Sequence, residues 1–189
     1  RKAFALLAYL VVTQRLHSRE ALAALLWGKL PDDKARTNLR KALAHLRPLV
    51  GDFLRVNRQT AVFNTSQPHI VDVHQLDEAI EQLEAMTNWT AQTAAIDALL
   101  ATLPNLFLEG FSVRNAPAFD HWLRQQRRHV HEQLLRGYQQ LARLAEQASL
   151  PQRAVHYLRQ FVRLQPWQES VHRQLLLALW QMGERNAAL

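Results

Sequence analysis

The sequence predicts a mainly α-helical protein that divides into a short helical part with one β-hairpin and a longer part made only of helices. Three observations support this expectation. Apolar residues recur at helical spacing along most of the 189 residues. β-favouring residues are concentrated in one stretch, residues 53–64. The positive charge is concentrated in the first third of the chain. We therefore expect two domains of different character.

Two helices are predicted at the start of the chain. Over about residues 1–13, apolar residues such as Leu7 and Leu10 fall at helical spacing. The next helix starts after Ser18, because a serine hydroxyl can accept a hydrogen bond from a free amide at a helix N-terminus. This helix is expected to end before Gly28, which follows its last apolar residue.

A third helix and a hairpin complete the first part. The helix is predicted to be capped by Asp32 or Asp33 and to run to about Leu49. Two β-favouring runs follow, Phe53–Val56 and Ala61–Asn64, separated by the turn-like NRQT. Three helices followed by a basic hairpin is the order of a winged helix-turn-helix, which we predict over residues 1–64. The alternative is a three-helix bundle with an unrelated hairpin.

After a linker at residues 65–71, the rest of the chain, residues 72–189, is predicted to be an all-α domain. Its helices are expected at about residues 73–87, 90–103, 119–148, 151–164 and 168–182, with a last one beginning at Asn186.

This helical part contains a weak repeat. The spacing of one tetratricopeptide unit, whose period is 34 residues, fits Tyr138, Leu141, Ala142, Ala154 and Pro166. One period further along lie Leu175, Leu176 and Ala188. We therefore predict a tetratricopeptide-like domain, which buries its core by stacking repeats and presents a groove to partners. A coincidental match on an ordinary helical bundle is the alternative.

The charge is divided unequally between the two parts. Residues 1–64 contain twelve lysine and arginine residues against four acids, a balance of +8. Residues 65–189 contain eleven arginines, no lysine and twelve acids, a balance of −1. Such segregation indicates an acidic partner for the first part, with double-stranded nucleic acid the leading candidate.

The third helix is the candidate for that contact. At 100° per residue, one apolar stripe comprises Ala35, Leu39, Ala42, Leu43, Leu46 and Val50. Thr37 and Lys41 point the opposite way, beside small Ala44, which suits insertion into a major groove. Arginines at the edge would contact phosphates or guanine. The candidate DNA-binding residues are Arg36, Thr37, Asn38, Arg40, Lys41, His45, Arg47 and, on the hairpin, Arg58.

The segments RKAFALLAYLVV, HSREALAALLWG and DDKARTNLRKALAHLRPLVGDFLRVN resemble the response-regulator-type winged-helix domain of antibiotic regulatory proteins. The segments VDVHQLDEAI, FLEGFSVRNAPAFDHWLRQQR and YLRQFVRLQPWQESVHRQLLLAL resemble the bacterial transcriptional activator domain that follows it. The resemblance covers nearly the whole chain.

This resemblance implies a sequence-specific bacterial transcription activator that binds direct repeats as a dimer and contacts RNA polymerase. It implies that Thr37, Asn38, Arg40, Lys41 and His45 lie on the recognition helix, with Arg58 near the tip of the wing. The loop at residues 28–33 falls where such domains can contact polymerase.

Members of this class begin with a short β-sheet, and no such segment precedes Arg1. The helical part stops at ERNAAL, where a repeat is only starting. We therefore expect the chain to be a fragment of a longer protein.

Several classes of function are not expected. The chain has no cysteine, and its nine histidines form no zinc-protease or catalytic pattern. We expect no catalytic residue, no metal site, no cofactor and no enzymatic activity. Apolar runs are too short to span a bilayer, and no signal peptide is visible, so a cytoplasmic protein without membrane contact is expected.

Two further features have competing interpretations. The basic cluster at residues 124–131 is expected to be a solvated helix face, with contact to DNA or an acidic partner as the alternative. Core or helix-packing positions are expected for Trp27, Trp122, Trp167 and Trp180, and an exposed loop position for Trp89. At the level of the whole chain, the alternative function is a helical-repeat protein-interaction scaffold that does not bind DNA. A gel shift on random duplex DNA would separate the two.

Overall fold

The computed structural model describes residues 1–103 and 107–183, and the protein is mainly helical, as predicted. Its first elements are α1 (Lys2–Thr13), β1 (His17–Ser18), α2 (Arg19–Trp27), α3 (Asp32–Val50), a 3-10 turn (Gly51–Phe53), β2 (Leu54–Val56) and β3 (Thr60–Phe63). The remaining elements are α4 (Asp72–Glu84), α5 (Ala91–Thr102), α6 (Pro117–Gln147), α7 (Pro151–Leu164) and α8 (Glu169–Gln181).

The predicted helices before residue 183 are present within a few residues of their expected limits. The helix expected at Asn186 lies outside the described residues. β1 was not predicted, because two residues are too short to show an alternating pattern. The described helices include none that is long and apolar enough to cross a membrane.

The chain forms two compact units. The first consists of Arg1–Val71 together with Leu108–Gln126, and the second of Asp72–Phe107 together with the described residues from Arg127 onwards. α6 therefore begins in the first unit and ends in the second. The domain limits expected from the sequence, at residues 64 and 72, stay a prediction.

In the first unit, α1, α2 and α3 pack around a core that includes Leu6, Leu26 and Leu39. A small antiparallel sheet lies beside them in the order β1-β3-β2. β3 is central: its Ala61 is aligned with both His17 of β1 and Val56 of β2. This sheet ties the hairpin to the segment that precedes α2.

The start of α3 differs from the expectation of an aspartate cap. Pro31 occupies the N-cap position, and Asp32 and Asp33 lie in the first turn without a side-chain capping bond. The pyrrolidine ring fixes the φ of Pro31, here −54°, and its ψ of 145° places the residue outside the first helical turn. The two carboxylates still lie at the positive end of the helix dipole. At α2 the prediction is confirmed, since the Ser18 hydroxyl accepts from the Ala21 amide over 3.0 Å.

Residues 108–126 complete the first unit through aromatic contacts. The rings of Phe4 and Phe111 meet edge to face with their centroids 5.2 Å apart. Those of Tyr9 and Trp122 do so at 5.0 Å. Phe119 is completely buried beside Trp122. These contacts cover part of the outer face of α1.

The second unit is helical throughout its described part. Its core includes Leu76 and Ile80 from α4, Leu134 and Leu141 from α6, and Tyr157 from α7. The repeat positions Tyr138, Ala142 and Ala154 are also buried, whereas Leu176 is exposed; Ala188 lies outside the described residues.

The expected positions of the tryptophans are only partly correct. Trp27 is buried, but Trp167 and Trp180 are 92% and 61% exposed, so of the predicted core or helix-packing positions the core is wrong for these two. Trp89 is half-buried rather than exposed, because its ring stacks on Tyr157 and lies under the Arg153 guanidinium at 4.9 Å. Position within a helix or loop did not decide burial for these side chains.

Candidate nucleic-acid interface

α3 buries the apolar stripe that the sequence predicts. Ala35, Leu39, Ala42, Leu43 and Leu46 are all buried, facing α1 and α2, and only Val50, at the helix end, is half-buried. A helix with one face fixed against its neighbours must present the opposite face outward.

The opposite face carries most of the candidate residues. Exposed side chains include Arg36, Thr37, Arg40, Lys41, His45 and Arg47, with small Ala44 among them. Asn38 is half-buried, so it lies at the margin of this outer face. The structure thus leaves the centre of the helix open for the close approach of a partner.

The β2–β3 hairpin is held in one conformation by Asn57. The Asn57 side-chain oxygen accepts hydrogen bonds from the main-chain amides of Gln59 and Thr60, at 2.8 and 2.7 Å. The Asn57 amide donates to the Thr60 carbonyl oxygen over 3.0 Å. Side-chain acceptors of this kind stabilise tight turns. Arg58, the candidate residue on the hairpin, is therefore presented from a structured tip.

Between α3 and the hairpin lies a basic depression that we call the arginine groove. It consists of two open cavities of about 430 and 600 Å³. Arg19, Arg40 and Arg58 line both cavities; Arg47 lines the first and Arg36 the second. Leu43, Leu54 and Val56 contribute an apolar floor to the first. The groove brings together cations from α2, α3 and the hairpin.

The groove has little compensating negative charge. Glu20 is the one carboxylate among its lining residues, and it lies 4.0 Å from Arg36 with both side chains largely exposed. An exposed ion pair at this distance contributes little to stability. Within the described part of the chain, Arg40, Arg47 and Arg58 form no ion pair. The groove is therefore suited to an anion supplied from outside.

Not all candidate residues belong to the groove. Thr37, Asn38, Lys41 and His45 line neither cavity and form a second surface on the outer side of α3. Arg19 was missed, because a lone arginine after a capping serine resembles any other polar residue in the first turn of a helix. Only the pairing of β1 with β3 brings it to the hairpin.

Family membership is decided by the helical part. The model of the family described as bacterial transcriptional activator domain matches residues 71–189. The chain belongs to this family. A search of curated proteins returns no match. The region matched to the bacterial transcriptional activator domain begins one residue before α4 and excludes the arginine groove, so family membership and groove geometry are independent observations.

Within the bacterial transcriptional activator domain, part of the second basic cluster is engaged in packing. The Arg127 side chain donates to the Phe107 carbonyl oxygen over 3.0 Å. His129 lies 2.7 Å from the Asp77 carboxylate, which also accepts from Gln133 over 2.6 Å. The contacts of His129 and Gln133 with Asp77 join α6 to α4. Arg124 and Arg128 are exposed, in agreement with the expected solvated face.

The described residues include no group of three or more potential ligands positioned to hold a metal ion.

Proposed function

We propose that this chain is a sequence-specific, double-stranded DNA-binding transcriptional regulator with a winged helix-turn-helix formed by α1–α3 and the β2–β3 hairpin. Its family supports a role in transcriptional activation. The observation that carries the DNA-binding proposal is the pairing of an open polar face on α3 with the arginine groove beside it.

The outer face of α3 and the arginine groove would make different contacts with DNA. Thr37, Asn38, Lys41 and His45 would enter the major groove and select sequence, because base edges there present distinct donors and acceptors. Arg36, Arg40, Arg47 and Arg58 would contact the flanking phosphates, with Arg40 also within reach of guanine. Phosphate contacts set position and affinity, whereas base contacts set specificity.

The remaining surfaces would serve protein partners. Gly28, Lys29 and Leu30 are exposed between α2 and α3, which supports the expected contact of this loop with RNA polymerase. The second unit would be a tetratricopeptide-like module for dimerisation or partner contact. Burial of Ala142 and Ala154, two of the small residues in the predicted repeat, supports this assignment. No enzymatic activity is proposed.

One observation favours the scaffold alternative for the second unit. α8 exposes Leu176, Leu177 and Trp180, and clustered exposed apolar side chains mark protein interaction sites. A scaffold without DNA binding would not account for the arginine groove in the first unit. Both roles can reside in one chain.

Duplex DNA binding tests the proposal. The chain should bind a labelled duplex of mixed sequence at about 50 mM KCl, and the affinity should fall steeply towards about 200 mM as counterions are released. Lys41→Ala should weaken binding to a selected site by about five- to tenfold and relax its sequence preference. Arg124→Ala, an exposed position with the same loss of charge, is the matched control. Binding that does not depend on salt, or K41A indistinguishable from R124A on the selected site, would contradict the proposal.

A further inference from the structure

Arg19 is connected to the hairpin although 38 residues separate it from Asn57 in sequence. Its main-chain amide donates to the Gln59 carbonyl oxygen over 2.8 Å. Its side-chain Nη1 donates to the Asn57 carbonyl oxygen over 3.2 Å. Pairing of Ser18 with Thr60 holds the start of α2 and the hairpin in register. The guanidinium of Arg19 is thus oriented from both its own helix and the hairpin.

The contact with Asn57 leaves most of the N–H donors of the Arg19 guanidinium available. A guanidinium carries five N–H donors in a planar fork, and the Asn57 carbonyl oxygen occupies one of them. Arg19 forms no ion pair in the described part of the chain. The same holds for Arg40 and Arg58, with which it lines both cavities of the groove. Three cations from three separate elements therefore line one groove, and its single carboxylate, Glu20, is paired with Arg36 rather than with any of them.

An arrangement of unneutralised cations repels itself and is stabilised when an anion binds among them. The planar fork of arginine matches the paired oxygens of a phosphate. A phosphodiester that passes between α3 and the hairpin would meet all three guanidinium groups. The groove is open to solvent on the side from which DNA would approach α3, since Arg40 and Arg58 are exposed.

We propose that Arg19 binds a backbone phosphate of the DNA together with Arg40 and Arg58, with its guanidinium oriented by the Asn57 carbonyl oxygen. This inference rests on the proposed function. It adds α2 to the DNA-binding surface and gives the hairpin a second role, which is to position a side chain from another element.

Arg19→Ala in the 189-residue chain tests the contact. Affinity for a fluorescein-labelled duplex of about 25 base pairs and mixed sequence is measured by anisotropy between about 50 and 200 mM KCl. R19A should weaken binding by about tenfold and reduce the slope of log affinity against log salt by about 1, the value of one phosphate contact. Arg19→Lys should recover part of the affinity, because it keeps the charge but not the fork.

Arg55→Ala is the matched control. Arg55 is exposed on β2 between Leu54 and Val56, which both line the groove, so its side chain points to the other face of the hairpin. R55A removes one positive charge from the same unit and should change affinity by less than about twofold. Unfolding curves of each variant establish that the fold is retained.

A double variant separates direct contact from positioning of the hairpin. In the Arg58→Ala background, R19A should still weaken binding and still lower the salt slope. An effect of R19A that disappears in this background would mean that Arg19 acts only through Arg58, and would overturn the proposal. So would an R19A affinity equal to that of R55A.

The two proposals fail in different ways. If the wild-type chain shows no salt-dependent binding to the duplex, the proposed function itself fails. If the wild type binds and K41A binds more weakly, while R19A behaves as R55A does, only the inference on Arg19 fails.

Discussion

At the scale of single residues, His17 shows how a hydrogen-bond network fixes the tautomer of a buried ring while burial disfavours its charged form. The Thr13 hydroxyl donates to the Tyr9 carbonyl oxygen over 2.7 Å, so it can only accept from His17 Nε2, which lies 2.7 Å away. His17 is 7% exposed, and its ring lies 4.8 Å from that of Tyr9. Burial, and to a lesser extent the charge of Arg15, lower the pKa of His17. The folded state therefore favours the neutral ring with its proton on Nε2.

This geometry predicts that the protein loses stability in mild acid. In the unfolded chain the His17 imidazole takes up a proton near its ordinary pKa of about 6.5. The folded chain resists protonation, because the pKa of His17 is lowered. The contribution of His17 to the free energy of unfolding should be constant above about pH 7.5 and fall as the pH drops through about 6.5. The slope from this group is at most about 1.4 kcal/mol per pH unit.

Urea unfolding across this pH range, in wild type and His17→Gln, measures the effect. Glutamine keeps an N–H donor for Thr13 but does not titrate, so the difference between the two proteins isolates His17 from the other histidines. Parallel stability profiles for the two proteins would show that His17 is not protonated on unfolding in this range.

At the scale of the helix, α6 illustrates which properties follow from sequence pattern. Its length is predicted within a few residues from the helical spacing of its apolar residues. Periodicity does not show why a glycine occupies position 137. A Cβ there would lie 2.7 Å from Ile80 Cδ1 and 3.0 Å from Leu100 Cδ1, so side chains from α4 and α5 occupy the space beside Gly137. Gly137 marks a tertiary contact that a helical pattern alone does not reveal.

Gly137→Val should therefore destabilise the second unit although valine is a slightly better helix former than glycine. Overpacking against Ile80 and Leu100 is expected to cost about 1–3 kcal/mol. Gln139→Val, on the exposed side of the same helix, is the matched control and should cost no more than about 0.5 kcal/mol. Chemical denaturation of the two variants and the wild type measures the difference in the free energy of unfolding. Equal stability of the two variants would argue against close packing at Gly137.

α3 also has some properties that follow from sequence pattern and others that depend on the surrounding structure. Its buried stripe and exposed face follow from the 3.6-residue period, and the structure agrees with the sequence at both. The predicted aspartate cap was wrong, because an aspartate pair after a proline is compatible both with an N-cap position and with the first helical turn. The side chain of Asn38 is half-buried. Periodicity within one helix does not predict this, because partial burial depends on the neighbouring elements.

At the scale of the whole molecule, residues far apart in sequence complete each unit. Tyr9 of α1 meets Trp122 of α6, and Phe4 meets Phe111. The first unit therefore depends on residues 108–126, which the sequence assigned to the helical part. Composition could not reveal this, because aromatic residues in that segment fit a core of either part.

Trp122→Ala should destabilise the first unit by about 2 kcal/mol, less than the 3–5 kcal/mol typical of fully buried aromatic residues, because Trp122 is half-buried. Trp167→Ala should change stability by no more than about 0.5 kcal/mol, since Trp167 is 92% exposed. Thermal unfolding of both variants tests this contrast, with far-UV circular dichroism as the probe. A W167A variant that is less stable than W122A would contradict the aromatic packing described here.

The sequence by itself determined the helical class, the order of the helices and the hairpin, the buried and exposed faces of α3, and the concentration of positive charge before residue 65. These properties depend on neighbours along the chain, where periodicity and composition are sufficient. Only the tertiary structure decided that Arg19 joins Arg40 and Arg58 in one groove, that residues 108–126 pack with α1, and which tryptophans are exposed. Each of these depends on contacts between residues distant in sequence, and burial of apolar surface selects such contacts without leaving a local pattern.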